Sequence, residues 1–381
     1  MRKIYLDYAA ATPMKAEVIE AMRPFFSEQF YNPSAIYLPA KAVRRQLEDF
    51  RAQAARLLGA RPAEIIFTAG ATEANNLAIQ GIKRQFPDGE MLYAAVEHDS
   101  VIAPAVLAGG RPIPVDSSGR IILNKLSNLI TDKTVLISIG LVNNELGTIQ
   151  PLAEAARLAE DVRRRRLESG NQLPLYLHTD AAQAGNYLDL HTSRLGVDLM
   201  SLNGGKLYGP KQSGALYVKA GTKLQPLIVG GGQEFGLRSG TENLAAIAGF
   251  TKALEMAQAG RSAENRRISR LRQDFESLVL ADYPAAFVNG PAKHRAPHIS
   301  SLTFPGKDNE WLIMELDEQG IQCAAGSACS ASSDEPSHVL RAIGVSEADA
   351  RSSLRFSFGA DTDEAAVKQA AEALSHLLAD R

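Results

Sequence analysis

Short apolar runs bounded by turn residues recur along the first part of the chain: EIIFT (64–68), MLYAAV (91–96), TVLISIGLV (134–142), PLYLHTD (174–180), DLMSLN (198–203) and GALYVK (214–219). Their length and their β-branched and aromatic content predict short buried strands. Between several of them the apolar positions recur every three or four residues, as in ATEANNLAIQGIKRQ (71–85) and PLAEAARLAEDVRRRR (151–166), which predicts helices. Strand followed by helix, repeated, predicts an α/β fold whose mainly parallel sheet is covered on both faces, with functional residues beyond the carboxyl ends of the strands. TAGATE, NNE, TDAAQ and NGGK are therefore expected along one edge. After GGGQEFGLRSGTEN a long helix is expected to about Leu280. HISSLTF (298–304), a helix over DNEWLIMELDEQG, SLRFSFG (353–359) and a closing helix then predict a smaller α+β part. The division expected is a large domain over 15–260 and a small C-terminal domain over 261–381. The N-terminal segment 1–14 is expected to pack near the small domain or the active site.

Composition narrows the classes. A chain of 381 residues with a formal net charge of −2 carries no global field that would draw nucleic acid or a membrane. The run Arg163 to Arg166 lies in a helical pattern and reads as a solvated helix end rather than a nucleic-acid patch. No stretch is long and apolar enough to span a bilayer, and MRKIYLDYAAATP has no signal-peptide pattern. With two cysteines only, a cytoplasmic location is expected, and no metal site is predicted.

One of those cysteines, Cys329, sits in CAAGSACSASSDEPSH (323–338) among Gly, Ala and Ser, which make a poor core. A disulfide to Cys323 would need special geometry. An exposed reactive thiol and a tolerated surface cysteine both stay open on these residues alone.

Lys206, in NGGKLYGPK, follows a strand among glycines, where a long amine can reach a cleft or lie in solvent. Asp180 ends a strand in YLHTDAAQ, a position that suits a pyridinium nitrogen and suits a helix cap equally. In FTAGATEANNLAI, the Ala71 and Thr72 backbone and the Thr72 hydroxyl open a helix, as a phosphate cup or a plain cap. Phosphate cup, strand-end carboxylate and strand-end lysine together describe a site for pyridoxal 5'-phosphate.

YLDYAAATP, FTAGATEANNLAI, EHDSV, VNNELGTIQP, HTDAAQ, GKLYGPK, GGGQEFGLRSGTEN, GSACSAS, PSHVLRAIG and SSLRFSFG occur in this order over nearly the whole chain. In this the chain resembles cysteine desulfurases of the NifS/IscS type, within the class V aminotransferase superfamily of fold-type I pyridoxal phosphate enzymes. The resemblance implies conversion of L-cysteine to L-alanine, with sulfur carried as a persulfide on Cys329 to an acceptor protein. Iron–sulfur scaffolds, tRNA thiolation and DNA sulfur modification are the acceptor systems it implies, and a homodimer is the expected assembly.

The resemblance also implies roles. Lys206 holds the cofactor covalently and moves the Cα proton, Asp180 pairs with the pyridine nitrogen, and Gln183 and Asn144 bond the phenolic oxygen. His98 stacks on the ring, although a lone His before a helix is ordinarily a cap or surface residue. Ala71 and Thr72 hold the phosphate, Asn203 lies in the cup, and Thr241 reaches the partner subunit's phosphate. Arg355 and Asn32 bind the substrate carboxylate, Arg355 having an expected anionic partner only when substrate is present. Cys323 is read as structural. The chain departs from the family at Gly205, where His is usual, at Asn203, where Ser or Thr is usual, at Tyr37 for His, at Ala40 for Gly and at Gln212 for Gly. Tyr37 and His178 are candidates for a replacement phosphate donor. Rival readings are a selenocysteine lyase or other β-eliminating lyase, and a weakly catalytic sulfur-transfer scaffold.

Overall fold

Six apolar runs become strands of one sheet, and the computed structural model describes residues 3–326 and 336–379. In chain order the strands are β1 (Ile4–Tyr5), β2 (Ile65–Thr68), β3 (Glu90–Ala94), β4 (Arg111–Ile113), β5 (Thr134–Ser138), β6 (Tyr176–Asp180), β7 (Leu199–Asn203) and β8 (Gly214–Val218). The main sheet has the order β2-β8-β7-β6-β5-β3-β4, and only β8 runs against the rest. Strands β2, β5 and β8 are buried at every residue, which is why they read as continuous apolar runs rather than alternating ones. The edge strand β4 escaped prediction because two of its three residues are exposed. The run 134–142 ends as a strand at Ser138, and its remainder turns into the site loop.

The later part of the chain adds β9 (Phe287–Val288), β10 (Ile299–Thr303), β11 (Ile321–Gln322) and β12 (Ser353–Ser357). Strands β9, β10 and β12 form an antiparallel sheet of their own. The N-terminal strand β1 pairs in parallel with β11, and Asp7 bridges to Ser357. The chain start is thereby carried to the edge of this second sheet, and its next residues, Ala9 and Ala10, reach the main cavity.

One helix, Leu244–Asp282, joins the two parts without a break, so the expected boundary at 260 falls inside it. Its first half buries Phe250 and Leu254 in the core around the main sheet, and its second half buries Ile268, Leu271, Phe275 and Val279 in the core of the second. Each fully buried side chain of this kind contributes about 1.5–3 kcal/mol.

The arginine run needs correction. Helical spacing turns Arg163 and Arg166 toward the sheet and leaves Arg164 and Arg165 outside. Arg163 pairs with Asp198, while Arg166 is buried and donates to the carbonyls of Leu173, Pro174, Thr131 and Thr134. Two of the four are structural pins rather than solvated charges.

Candidate active site

The carboxyl ends of β5, β6 and β7 open onto one cavity lined by Ala71, Thr72, His98, Asn144, Asp180, Gln183, Asn203, Lys206 and Arg355. A contiguous second hollow shares Ala71, Thr72, Asn203 and Lys206 and adds Gly205 and Lys211. Most residues singled out from the sequence therefore meet in one place.

Asp180 holds two donors, the Asn75 amide at 2.7 Å and the Ala182 N–H at 2.8 Å. No helix follows Asp180, so the helix-cap reading does not hold: the carboxylate accepts the Ala182 N–H of a turn and faces the cavity. Among the described residues it forms no ion pair, so its charge is available to a cationic ring nitrogen. Lys206 follows β7 on a tight turn, Gly204–Lys206, and its Nζ donates to the Ala9 carbonyl and, at 2.6 Å, to that of Ala10.

The helix Ala71–Gln85 starts beside them. Its N-cap is Gly70, at φ 123°, so Thr72 is not the cap and is exposed toward the hollow. Gly214 on β8 packs against Gly70 so closely that a Cβ there would lie 2.7 Å from the Gly70 Cα. That contact fixes the turn and presents the unpaired first N–H groups of the helix, the arrangement that attracts an anion.

His98 is the N-cap of the helix Asp99–Leu107, accepting the Ser100 N–H on Nδ1 at 3.1 Å. An accepting Nδ1 puts the ring proton on Nε2. Cap and cavity residue are here one side chain.

Several expected contacts take another form. Arg355 is 2 % exposed and already has an anionic partner: its Nη2 lies 2.6 Å from Asp7 Oδ1, and its Nη1 donates to the Asn144 carbonyl. A guanidinium so deeply buried needs a resident counter-charge, and the N-terminal segment supplies it. Asn32 is exposed and caps the Ser34 N–H at 2.9 Å, away from the cavity of its own chain. Thr241 is exposed as well. Its loop is held by Glu234, which accepts both Arg51 Nη1 and Nη2 and the Phe67 N–H while Glu234 and Phe235 sit at φ 48° and 58°. Strain of this kind persists only where neighbours over-determine it. Cys329 lies outside the described residues. Cys323 is half-buried and packs on the second core, and burial, reinforced by Asp7, pushes its thiol up to about 12.

The two candidates for a replacement phosphate donor lie elsewhere. Tyr37 is exposed ahead of the helix Leu38–Leu58, and His178 is sealed in the sheet between the Ser138 and Ser201 hydroxyls, its pKa lowered by burial to about 4. Lys211 lines the second hollow together with Lys206. A Cβ on Gly205 would meet nothing closer than 3.6 Å, so the missing His is a chemical departure and not a steric one. Gln212 holds φ 58°, the left-handed conformation that explains the family's usual Gly there.

Asp7, Glu97, Lys211 and His298 were not singled out from the sequence. Glu97 lines the cavity fully buried, and burial pushes it up to about 8, the Gly140 N–H pulling it down and the Asp180 charge adding to the rise. A raised carboxyl contributes stability that is complete below pH 4.5 and lost as pH climbs through 8. Glu97→Gln in the apoprotein should therefore flatten the fall in Tm between pH 5 and 9, with a gain of several kcal/mol at the alkaline end, since a tenfold change in proton affinity corresponds to roughly 1.4 kcal/mol. Parallel Tm profiles for the two proteins would contradict this.

The donor set fits pyridoxal phosphate: an amine, a strand-end carboxylate without a resident cation, and a helix N-terminus with a lysine beside it. Comparison with known proteins agrees. The aminotransferase class-V family profile matches residues 4–370. The cysteine desulfurase IscS of Dictyoglomus turgidum is 38% identical over 384 residues, covering 99% of this chain and 95% of that protein. The cysteine desulfurase NifS of Azotobacter vinelandii is 36% identical over 96% of this chain and 90% of its own. Among solved structures, a NifS-like protein from Rickettsia africae superposes with a TM-score of 0.88 at 28% identity over the whole of both chains. SspA in complex with cysteine gives 0.80 at 35% identity, covering 93% of this chain and 98% of that one. With motif order, fold and strand-end residues all in agreement, the chain belongs to the cysteine desulfurases of the class-V aminotransferase family.

Proposed function

We propose that the chain binds pyridoxal 5'-phosphate, takes sulfur from L-cysteine, releases L-alanine and passes the sulfur from Cys329 to an acceptor protein. The observation that supports this most is the convergence of Lys206, Asp180 and the 71–85 helix N-terminus on one cavity that Arg355 also lines. Bound pyridoxal phosphate supplies an electron sink that labilises the Cα proton and the Cβ–S bond of cysteine. Asp180 holds the ring nitrogen's positive charge, Lys206 links the cofactor and moves the proton at Cα, and Gln183 and Asn144 face the ring oxygen. His98 covers the ring with its proton on Nε2. Arg355, with donors left over from Asp7 and Asn144, takes the substrate carboxylate. The Cys329 thiolate attacks the substrate sulfur, the Cβ–S bond breaks with its electron pair going to Cβ, and a proton completes alanine. L-cysteine and a thiol thus become L-alanine and a persulfide, with every atom conserved.

The exposed positions of Thr241 and Asn32 support a homodimer in which the partner's Thr241 reaches this chain's phosphate cup. None of the described helices is long and apolar enough to cross a membrane, and the described residues hold no cluster of metal-ligating side chains. The acceptor is a protein of iron–sulfur assembly, tRNA thiolation or DNA sulfur modification.

The test is product analysis of the purified, cofactor-loaded enzyme given L-cysteine and dithiothreitol. Alanine and sulfide should appear one to one. Pyruvate and ammonia in place of alanine would mean β-elimination with water and would overturn the reading, as would turnover of selenocysteine alone.

A further inference from the structure

Gln183 has two ends of opposite polarity, and what it offers the cavity depends on what holds it from behind. Its Nε2 donates to the Ala9 carbonyl at 2.9 Å, and its Oε1 lies 3.2 Å from His298 Nε2. A carbonyl can only accept, so the amide end at Ala9 must be the nitrogen. The end at His298 is then the oxygen, and His298 must carry its proton on Nε2.

His298 is built to hold that state. It is buried, and burial followed by the charges of Arg355, Arg272 and Lys206 pushes its pKa down to about 3, so the imidazole stays neutral and has one N–H to give. Its ring lies on Tyr187 with centroids 4.3 Å apart and planes at 18°, and its backbone carbonyl accepts the Phe358 N–H at 2.9 Å. Its Nδ1 is buried with no hydrogen-bond partner among the described residues, which leaves Gln183 as the ring's polar contact. The groups around it come from four sides: Arg272 from the long helix, Arg355 from β12, Lys206 from the β7–β8 loop and Tyr187 from the segment after β6.

We propose that His298 is a positioning residue that, with the Ala9 carbonyl, clamps the Gln183 amide at both ends, so that an N–H and not the oxygen faces the ring oxygen of bound cofactor. The inference rests on the role proposed for Gln183 above. A donor at that oxygen favours its anionic form, whereas an acceptor there repels it. The same Ala9 carbonyl takes Lys206 Nζ, so the amide and the amine are registered on one backbone atom. His298 therefore tunes the proton affinity of the Lys206-linked chromophore without touching it.

The experiment is a pH titration of the visible absorbance of the loaded protein, without cysteine, for wild type, His298→Gln, His298→Leu and His298→Asn. The Gln amide reaches the place of Nε2 and should leave the midpoint where it is. Leu has no donor and the shorter Asn cannot reach, so both should move the midpoint up by about one pH unit, a tenfold change in proton affinity. A merely structural histidine would lower Tm in all three without separating Gln from the other two. Equal midpoints in all four proteins overturn the proposal, as does a Gln variant that shifts like Leu; if Leu fails to fold, Asn carries the comparison. A wild-type protein with no visible band distinct from Lys206→Ala would instead overturn the cofactor site itself, and this inference with it.

Discussion

Replacing Cys329 with alanine should leave the protein coloured and able to bind cysteine, yet cut sulfide release in the presence of a reductant on the order of a thousandfold or more. Removing a nucleophile that acts as a unit with its activating groups has effects of that size. The thiolate is the species that attacks sulfur, and a cysteine of ordinary pKa, ~8.5, is only partly ionised at neutral pH. The other cysteine cannot stand in for it. Cys323 is half-buried, and a thiol pushed up to about 12 yields almost no thiolate under working conditions. Cys323→Ser should accordingly be nearly silent. The pair of variants is measured by sulfide release and by the cofactor spectrum on adding cysteine. Retention of most activity by Cys329→Ala would remove the persulfide from that residue.

Local signals carried the reading of the site because its parts lie at strand ends, where an apolar run stops on a polar residue. Asp180 closes β6, Asn203 closes β7, and Lys206 follows within one turn. Each of these junctions is written in consecutive residues. Contacts that fold the chain back on itself left no such trace. Arg355 and Asp7 are 348 positions apart, and nothing near either predicts the other. From the sequence His298 is expected only to start a strand, and its contact with Gln183 spans a separation of 115 residues. Two-residue strands such as β1, β9 and β11 are too short to show a period. The arginine run misled for a related reason: charge counts treat Arg163 to Arg166 alike, whereas a helix turns residues three apart to one face and those between them to the other. Of the two readings open for Thr72, the helix cap falls away, since Gly70 at positive φ takes that position.

The pairing of Arg355 with Asp7 changes what Arg355→Ala is expected to do. A guanidinium has five N–H groups, and two are engaged by Asp7 and the Asn144 carbonyl, leaving three (5 − 2) for a substrate carboxylate. Its Nε is buried without a partner among the described residues, and the side chain lines the cavity where a substrate would bind. Charge-assisted bonds to a carboxylate are worth ~1.5–3 kcal/mol, so loss of Arg355 should weaken cysteine binding by roughly ten- to a hundredfold. The variant should also lose stability, because the Asp7 side chain is only 17 % exposed and would lose its counter-ion. Breaking a buried pair from one side costs ~3–5 kcal/mol, and the partial exposure of Asp7 places this case at the lower end. The two effects separate in the double variant. Asp7→Asn with Arg355→Ala removes both charges and should recover much of the lost Tm, while cysteine affinity, followed by the spectral change on titration, stays as weak as in Arg355→Ala alone. Recovery of affinity in the double variant would show that stray charge at Asp7 repels the substrate and that Arg355 never bound its carboxylate. Unchanged affinity in the single variant would move the carboxylate site to another part of the cavity.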